Sequence, residues 1–539
     1  MISDQLRVEV QEWIDNDPDK ETAKQLSDWL KEGNSKELER CFSGFLQFGT
    51  AGLRGPIGPG PSCMNRAVVS RTATAIVEFM KKNHLTSVVI GRDARHGSDQ
   101  FSQDSAEIFS GAGIKTYVLP RALPTPVLAF AINKLKVDVG IMVTASHNPA
   151  TDNGYKVYLG GTVDGIHYRG SQIVSPTDEA IAAKIDAVTS LKSQPRGKVW
   201  EVLDEEIVEK YVNRTASLAG TPGSLRIVYT AMHGVGTQTL QQVFHKAGFA
   251  SPILVEAQAA PDPDFPTVAF PNPEEPGAID LALETARSFD AHLVIANDPD
   301  ADRCAAAIND PVTGWRMLRG DELGAIFAES IARKIDSGIF ANSIVSSSIV
   351  KKIAEHYNLQ FKETLTGFKW LAKIENLTFG YEEALGYCVD TATVNDKDGV
   401  SAAIALAQIA TDLAAQGKTL LDLLDEVWAR HGFHATEQIS IRLSDLSKVG
   451  VILGGLRSNP PKEIAGRLVT SIDDLATPTD GLPPTDGIRI WLDGGVRIII
   501  RPSGTEAKMK CYIEAIERDS KAATVVLDQL RPPLKELLS

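Results

Sequence analysis

Short β-branched runs alternate with helical patterns along most of the chain. In the first such unit, a strand at Ser87–Ile90 leads through a polar loop into a helix that ends near Ser110, and a second strand follows at Lys115–Leu119. This order of strand, loop, helix, glycine and strand is that of a βαβ unit. Two further copies open with predicted strands at Leu225–Thr230 and Ser343–Ser346. The pattern therefore predicts three related α/β domains.

The two ends of the chain follow different patterns. Residues 1–45 carry apolar side chains at helical spacing and are predicted to form a helical arm. From about Ala435 onward, apolar and polar residues alternate, and the runs Ile488–Leu492 and Val496–Ile500 predict a β-hairpin. A last helix is predicted at about Ser520–Leu530. The carboxyl-terminal part is thus expected to be an α+β domain.

These patterns together predict an α/β protein of four domains. The first would cover residues 1–205 and include the helical arm, the second residues 206–320, and the third residues 321–434. The fourth, of the α+β type, would cover residues 435–539. A length of 539 residues is ample for such a division.

Composition narrows the classes of protein that the chain can belong to. Apolar residues make up 43% and charged residues 23%, as in packed globular proteins. The net charge of -14, without a long basic run, argues against a nucleic-acid partner. Five scattered cysteines without zinc spacing indicate reduced thiols. Because neither a signal peptide nor a long apolar stretch is found, we expect a cytoplasmic protein without a membrane partner.

A candidate nucleophile follows an apolar run. The run Val137–Val143 is predicted to be a buried strand, and it leads into Thr144-Ala145-Ser146-His147-Asn148-Pro149. Open α/β sheets bind their ligands at the carboxyl ends of strands, so Ser146 is well placed to react. Serine, asparagine and proline are also ordinary turn residues, and this segment alone favours a plain turn.

A second strand-ending loop carries three carboxylates. The apolar run Leu293–Ala296 is followed by Asp298, Asp300 and Asp302 at alternate positions. Three aspartates so close together repel one another, and hard oxygen donors in small number suit Mg²⁺. A solvated Asp/Pro turn is the alternative. A calcium site of the EF-hand type is less favoured because its glycine and its twelfth-position glutamate are absent.

Two loops further along offer groups that could read a sugar. Glu382 and Glu383 are flanked by glycines and tyrosines, so they could accept hydrogen bonds from sugar hydroxyls, although an exposed acidic turn fits as well. Lys397 lies between Asp396 and Asp398. Its neighbours would keep it charged, so a role as a base requires desolvation or another nearby cation.

Two loops are suited to phosphate. The glycine- and proline-rich segment Phe48–Gly60 contains Arg54 and is predicted to be a loop that could bind an oxyanion. After the strand that ends at Ile500, the tight turn Arg501–Glu506 offers a guanidinium, hydroxyls and backbone amides for a phosphate. A candidate nucleophile, a candidate metal site, acceptors for sugar hydroxyls and a candidate phosphate-binding turn together indicate transfer of a phosphoryl group on a sugar.

Taken together, these motifs resemble those of the α-D-phosphohexomutase superfamily over essentially the whole chain. The serine loop, the Asp-x-Asp-x-Asp loop, the Gly-x-Glu-Glu region and the Arg-x-Ser-Gly-Thr-Glu loop occur in the family's order and spacing. The resemblance implies four domains around a central cleft. It also implies interconversion of hexose 1-phosphate and 6-phosphate, for glucose or mannose, through a phosphoserine enzyme and a hexose bisphosphate.

The resemblance also implies a role for each loop. The Mg²⁺ ligands would be phosphorylated Ser146, Asp298, Asp300 and Asp302. The residues around the reacting phosphate would be Arg54, His147, Lys156 and Lys397. The residues that bind the substrate would be Glu382, Glu383, Lys369, Arg501, Ser503, Gly504 and Thr505. Because extended backbone would point His147 away from Ser146, Lys397 or Lys156 is the predicted base.

The departures from the family pattern concern the sugar. The segment Glu383–Tyr387 stands where the best-known branch has Ser-Gly-His, and the chain looks closer to the larger phosphoglucomutases and phosphopentomutases. A phosphopentomutase acting on ribose or deoxyribose phosphates is therefore an alternative. The same loops also fit a phosphatase that uses the Asp298 loop or a non-catalytic sugar-phosphate-binding protein. A monomer or a homodimer is expected.

Overall fold

The chain folds into two compact units. The structure, a computed structural model, describes residues 2–47, 52–188, 190–191, 194–443, 445, 447–502 and 508–538. The first unit comprises Met1–Leu318 and Gly386–Asp412, and the second comprises Arg319–Leu385 and Leu413–Ser539. Within the described part of the chain, every helix is too short or too polar to span a bilayer.

The amino-terminal arm is helical, as predicted. Its helices are α1 (Asp4–Asn16), α2 (Lys20–Glu32) and α3 (Ser35–Cys41). A polar side chain caps the first backbone amides of each helix, and the caps are Ser3, Asp19 and Asn34. The three helices bury Val10, Leu26 and Leu38 against one another in a small core.

The first α/β segment contains a seven-stranded sheet. Its elements are β1 (Leu53–Pro56), α4 (Arg66–Lys82), β2 (Ser87–Arg92), α5 (Ser98–Gly111), β3 (Lys115–Val118), α6 (Thr125–Leu135), β4 (Val139–Val143), β5 (Asp152–Leu159), β6 (Thr162–Val163), β7 (Ile166–His167), β8 (Ser171–Gln172), α7 (Thr177–Ala187) and β9 (Glu201–Val202). The strand order is β1-β5-β4-β2-β3-β9, and β8 also pairs with β5. The predicted βαβ unit β2-α5-β3 is confirmed, and β2 also pairs in parallel with β4.

Strand β1 corrects one prediction. The glycine- and proline-rich segment that contains Arg54 was expected to be a loop, but Leu53–Pro56 forms an antiparallel strand with β5. Its four residues show no apolar run that would predict a strand. Backbone pairing with a neighbouring strand, rather than local propensity, therefore decides this conformation.

The second α/β segment repeats the pattern around a five-stranded sheet. Its elements are α8 (Glu206–Ala216), β10 (Ile227–Thr230), α9 (Gly236–Lys246), β11 (Ile253–Leu254), α10 (Asp280–Ser288), β12 (Leu293–Ala296), β13 (Ala305–Asp310) and β14 (Gly314–Met317). Strands β11, β10 and β12 are parallel, whereas β13 and β14 run antiparallel at one edge. All four residues of β12 are buried, as predicted.

The third segment begins the second unit. Its elements are α11 (Gly320–Ala332), β15 (Ile339–Ser343), α12 (Ile349–His356), β16 (Gln360–Thr364), α13 (Phe368–Leu371) and β17 (Leu377–Glu382). Strand β15 pairs in parallel with both β16 and β17. The strand predicted at Ser343–Ser346 was wrong, because the structure places it earlier, at Ile339–Ser343. The polar side chain of Asn342 hid the true strand, since its amide is buried and donates to the Ser347 carbonyl.

The short strand β18 (Gly386–Cys388) and helix α14 (Gly399–Ala414) follow along the chain. Residues of this stretch up to Asp412 belong to the first unit. The loop between these two elements contains Lys397.

The last segment is an α+β domain, as predicted. Its elements are α15 (Leu420–His431), β19 (Phe433–Arg442), α16 (Ser447–Ser458), β20 (Glu463–Ile464), β21 (Arg467–Asp474), β22 (Ile488–Leu492), β23 (Val496–Pro502), β24 (Lys508–Glu517) and α17 (Ser520–Leu537). The sheet order is β19-β24-β23-β22-β21-β20, and the predicted hairpin is the pair β22–β23. Apolar side chains of α16 and α17 share one buried core with this sheet.

Candidate active site

Ser146 lies just beyond the carboxyl end of β4, whose five residues are all buried. Its φ of 54° falls in the left-handed region, which residues with a Cβ rarely occupy. The Thr144 hydroxyl accepts a hydrogen bond from the Ser146 amide at 2.9 Å. The Ser146 hydroxyl donates to Asp298 Oδ2 at 2.7 Å. The fold thus joins the serine loop to the acidic loop, although 152 positions separate them in sequence.

His147 does not point away from Ser146 as predicted. That prediction assumed extended backbone, but the positive φ of Ser146 turns the chain differently. As a result, His147 Nδ1 lies 3.2 Å from Ser146 Oγ. Burial lowers the pKa of His147 well below its usual value, and the nearby cations Arg303 and Arg54 lower it further. The imidazole is therefore uncharged at neutral pH.

Asp298, Asp300 and Asp302 form one buried cluster. Carboxylate oxygens of all three lie within 4.8 Å of one another, and no side chain is more than 1% exposed. Burial raises the pKa of Asp298 well above its usual value, and the charges of the other two aspartates raise it further. Asp300 Oδ1 and Asp302 Oδ1 are buried without a hydrogen-bond partner among the described residues. Because a hard cation takes such oxygens as ligands, the cluster could hold a metal ion.

Two lysines face the acidic cluster. Lys156 Nζ donates to Asp300 Oδ2 at 2.7 Å and to Asp302 Oδ2 at 2.8 Å. Lys397 Nζ lies 3.3 Å from Asp302 Oδ2 and 3.6 Å from Asp396 Oδ1. Burial opposes ionisation of Asp302, but Lys156 and Lys397 outweigh it and lower the pKa of this carboxyl. A Cβ at Gly386 would collide with Lys397 Cδ, so glycine leaves room for this lysine.

Arg54 reaches the same region from strand β1. Its register partner on β5 is Gly154, two positions before Lys156. The Arg54 Nε is buried and has no hydrogen-bond partner among the described residues. Burial lowers the pKa of Arg54, and the negative charge of Asp300 opposes that effect. The guanidinium thus adds positive charge beside the cluster.

Side-chain contacts fix the shape of the acidic loop. Asn297 accepts a hydrogen bond from the Tyr229 hydroxyl at 2.8 Å and donates to the Arg303 carbonyl at 2.6 Å, which closes the loop. The Thr125 hydroxyl donates to Asp300 Oδ2 at 2.7 Å. The carboxylates are therefore held in place by neutral donors as well as by lysines.

Two predicted substrate residues lie at the end of β17 in the second unit. Glu382 Oε1 accepts a hydrogen bond from the Gly367 amide at 2.7 Å. Glu383 Oε2 accepts hydrogen bonds from the Ser343 hydroxyl at 3.1 Å and the Ser346 hydroxyl at 2.9 Å. Both carboxylates are thus oriented by donors at or just beyond the carboxyl ends of β15 and β16, two strands of the same sheet.

The remaining predicted substrate residues are also in the second unit. Lys369 lies in the single-turn helix α13, and Arg501 lies near the end of β23. The predicted phosphate-binding residues Ser503, Gly504 and Thr505 fall outside the residues that the structure describes.

Glu514 is the centre of a buried network in the second unit. Its carboxylate lies 3.0 Å from Arg497 Nη2 and accepts hydrogen bonds from the Ser347 hydroxyl at 2.6 Å and the Ser348 amide at 2.8 Å. His434 Nδ1 is 3.0 Å away. Burial opposes ionisation, but Arg497 and His434 outweigh it and lower the pKa of Glu514 to about 2.

This network predicts acid sensitivity. Because the pKa of Glu514 is below its unfolded value of 4.5, its stabilisation is complete above pH 4.5 and is lost as the pH falls towards 2. We expect the free energy of unfolding to lose up to about 3 kcal/mol over this window through Glu514. Denaturant unfolding at several pH values measures this slope. Glu514→Gln should flatten it and exposed Glu355→Gln should not; equal slopes in all three proteins would contradict the assignment.

Sequence reasoning missed several residues of the site. Asp93 and Arg95 follow β2 and contact the serine loop, and Thr125 and Arg303 contact the acidic cluster. A usable signal for the first two was their position after β2, which is parallel to β4, because loops that follow parallel neighbours meet at the same edge of a sheet.

Four family models match the chain in sequence order. They are described as phosphoglucomutase/phosphomannomutase alpha/beta/alpha domains I, II and III and the C-terminal domain of the same family. The matched residues are 46–192, 207–313, 319–431 and 456–530.

Individual proteins similar to the chain carry related names. A protein of Haemophilus influenzae named "probable phosphomannomutase" is 47% identical over 482 residues, which covers 88% of this chain and 98% of that protein. The phosphopentomutase of Homo sapiens is 32% identical over 603 residues, covering 99% of this chain and 95% of that protein. The solved structure of a phosphoglucomutase/phosphomannomutase family protein from Burkholderia thailandensis matches with a TM-score of 0.71 at 20% identity, covering 91% and 97% of the two chains.

Proposed function

The chain belongs to the phosphoglucomutase/phosphomannomutase family, and from this we propose that it interconverts the 1- and 6-phosphates of glucose or mannose. Enzymes of this family are phosphosugar mutases, so the chain is an isomerase of carbohydrate metabolism with the family's four-domain α/β fold. We propose residues 1–205, 206–320, 321–434 and 435–539 as the four domains.

The observation that carries the proposal is the hydrogen bond from the Ser146 hydroxyl to Asp298 Oδ2 at 2.7 Å. It joins a buried serine to a cluster of carboxylates that could hold a metal. In the proposed reaction, Ser146 carries a phosphoryl group and transfers it to one hydroxyl of the sugar phosphate. The bound hexose bisphosphate then returns its other phosphoryl group to Ser146, so both the enzyme and the phosphate count are restored.

The acidic cluster fits a magnesium ion. Asp300 Oδ1 and Asp302 Oδ1 are buried without a hydrogen-bond donor in the part of the chain that the structure describes, and the third carboxylate belongs to Asp298. We propose that these three residues hold Mg²⁺ together with phosphorylated Ser146. When bound, the ion would neutralise negative charge on the transferring phosphoryl group.

The cationic side chains would divide the remaining work. Lys156 makes two short contacts with carboxylates of the cluster, so we assign it to electrostatic stabilisation of the phosphoryl group. Lys397 makes longer contacts, and we propose it as the group that takes and returns the proton of the sugar hydroxyl. Arg54 would add positive charge, and His147 Nδ1 would donate a hydrogen bond to Ser146 Oγ, whose own proton goes to Asp298. Exclusion of water from this buried region would favour transfer to the sugar over hydrolysis.

The remaining predicted residues would bind the sugar and its other phosphate. We propose Glu382 and Glu383 as acceptors for sugar hydroxyls, supported by their oriented carboxylates. Lys369 and Arg501 would bind the phosphate that does not react, together with Ser503, Gly504 and Thr505. A guanidinium suits this task because it binds two phosphate oxygens at once.

A second candidate is a phosphopentomutase. The human protein of that name aligns with 99% of this chain, so a pentose phosphate is a realistic competing substrate. For either substrate we propose a cytoplasmic enzyme, supported by five buried free cysteines, that acts as a monomer or a homodimer.

A substrate panel tests the proposed function. Purified protein with Mg²⁺ and a trace of glucose 1,6-bisphosphate is given the 1-phosphates of glucose, mannose, ribose and deoxyribose, and products are followed by ³¹P NMR. We expect the highest kcat/KM with a hexose. Preference for a pentose would support the second candidate, and binding without conversion of any sugar would refute both.

A further inference from the structure

We propose that Arg95 is a positioning residue that holds the backbone of the Ser146 loop in the geometry for phosphoryl transfer. This inference rests on the proposed function of Ser146. Arg95 lies in the loop after β2, and its hydrogen bonds reach the serine loop through backbone carbonyls.

The guanidinium of Arg95 donates hydrogen bonds to four backbone carbonyls in and next to the serine loop. Arg95 Nη2 donates to the carbonyls of Ser146 and Asn148, each at 2.6 Å. Arg95 Nη1 donates to the carbonyls of Pro149 at 2.7 Å and Asp152 at 3.0 Å. Three of the acceptors belong to the stretch that connects β4 with β5, and the fourth, Asp152, is the first residue of β5. A planar fork of charged donors thus sets the path of the whole connection.

Arg95 is itself held rigidly. Its side chain is only 1% exposed, and its Nε lies 3.3 Å from Asp93 Oδ2. Asp93 also accepts hydrogen bonds from the Arg95 amide at 3.1 Å and from the Thr144 hydroxyl at 2.7 Å. The guanidinium lies over the ring of Phe265 at 4.9 Å. Asp93 and Arg95 together therefore grip the serine loop on both sides of Ser146.

The backbone of Ser146 explains why such a grip is needed. A serine with a φ of 54° is strained, and strained residues persist only where the surroundings impose their conformation. Relaxation to negative φ would turn the hydroxyl away from Asp298, to which it now donates at 2.7 Å. The carbonyl of Ser146 is one of the four that Arg95 binds, so the restraint acts on the strained residue directly.

Arg95→Lys tests the inference. An ammonium group cannot reproduce a planar fork to four carbonyls, so we expect Ser146 to shift although the positive charge remains. Misplacement of a reacting group by about 1 Å costs about 100-fold, and we expect kcat to fall by about that factor. KM should stay within about twofold, because the proposed sugar- and phosphate-binding residues are unchanged. A kcat within about threefold of the native value in a folded variant would overturn the proposal.

A matched control separates positioning from general destabilisation. Arg66 lies in the same unit and forms a two-pronged ion pair with Asp104, at 2.7 and 2.9 Å, instead of hydrogen bonds to the serine loop. Arg66→Lys should lower the melting temperature while leaving kcat unchanged. An equal loss of kcat in both variants would show that Arg95 acts only through stability.

Chemical rescue provides a second readout. We expect added guanidinium ion, at concentrations that leave the native enzyme folded, to restore part of the kcat of Arg95→Ala and none of that of Ser146→Ala. Absence of rescue, together with native exchange rates of the serine-loop amides in Arg95→Lys, would count against the proposal.

Hydrogen exchange distinguishes failure of this inference from failure of the proposed function. The amides of residues 146–152 should exchange faster in Arg95→Lys than in native protein and in Arg66→Lys, whether or not turnover is detected. If Arg95→Lys exchanges faster but the native protein has no mutase activity, the positioning role of Arg95 is supported and the proposed function is refuted. Unchanged exchange of these amides in Arg95→Lys would overturn the positioning role of Arg95.

Discussion

Replacing Ser146 by alanine will abolish mutase turnover, with a loss in kcat of at least about 10⁴-fold, the order expected when a covalent nucleophile is removed. The hydroxyl is the only group of this residue that could carry a phosphoryl group, and it lies 2.7 Å from Asp298 Oδ2. Stability should change little, because the variant loses only the two contacts of the hydroxyl, with Asp298 and His147, and leaves a carboxylate that Arg303 also contacts. A coupled assay with the bisphosphate present measures the loss.

The matched control for this variant is Ser105→Ala. Ser105 is a fully buried serine of the same unit, whose hydroxyl pairs with that of Tyr155 at 2.9 Å. It should lose stability and keep its turnover. Intact-protein mass spectrometry after incubation with glucose 1,6-bisphosphate should show a phosphoryl group on the native chain and on Ser105→Ala but not on Ser146→Ala. Full activity of Ser146→Ala would refute the phosphoserine mechanism, and a phosphoryl group found on Asp298 instead would favour a phosphatase.

Replacing Asp298 by asparagine will stabilise the metal-free protein and nearly eliminate its activity. Burial raises the pKa of Asp298 well above its usual value, and the charges of Asp300 and Asp302 raise it further, so a neutral amide at this position relieves both costs. We expect a gain of about 1 kcal/mol in the free energy of unfolding without metal, as is common when a functional site is relieved of strain. The same change removes a proposed ligand of Mg²⁺, and we expect kcat to fall by about 10³-fold.

Thermal unfolding with and without Mg²⁺ checks both parts of this prediction. The native protein should gain melting temperature on addition of Mg²⁺, because a ligand that binds the folded state stabilises it. Asp298→Asn should have a higher melting temperature than the native protein without Mg²⁺, and this temperature should rise little when Mg²⁺ is added. The control Asp138→Asn weakens the contacts of a carboxylate with the amides of Thr86 and Ser87. Its melting temperature without Mg²⁺ should therefore be lower than that of the native protein, and Mg²⁺ should raise it by the native amount. A native-sized Mg²⁺ response in Asp298→Asn would show that the ion binds elsewhere.

Local sequence was sufficient where an element is defined by its own apolar run. Strands β4 and β12 are continuous buried runs, and each is followed by a short polar loop, so both candidate loops were predicted with their residues. The hairpin β22–β23 was equally clear because a short glycine-containing turn joins two alternating runs.

Local sequence failed where a distant partner decides the conformation. Strand β1 exists because β5 offers a partner, and β15 was displaced in the prediction because a buried asparagine interrupts its apolar run. The orientation of His147 followed from the left-handed backbone of Ser146, a conformation that a serine adopts only under tertiary restraint.

The sequence by itself determined where the candidate loops of this protein lie, because strand ends and clusters of like charge are local properties of a chain. Only the tertiary structure decided which groups meet there. Arg95 hydrogen-bonds the Ser146 carbonyl although 51 positions separate them in sequence, and Lys156 hydrogen-bonds Asp302 across 146 positions. Such contacts depend on how β2, β4, β5 and β12 are arranged in space, and no periodicity or spacing in the chain encodes that arrangement locally.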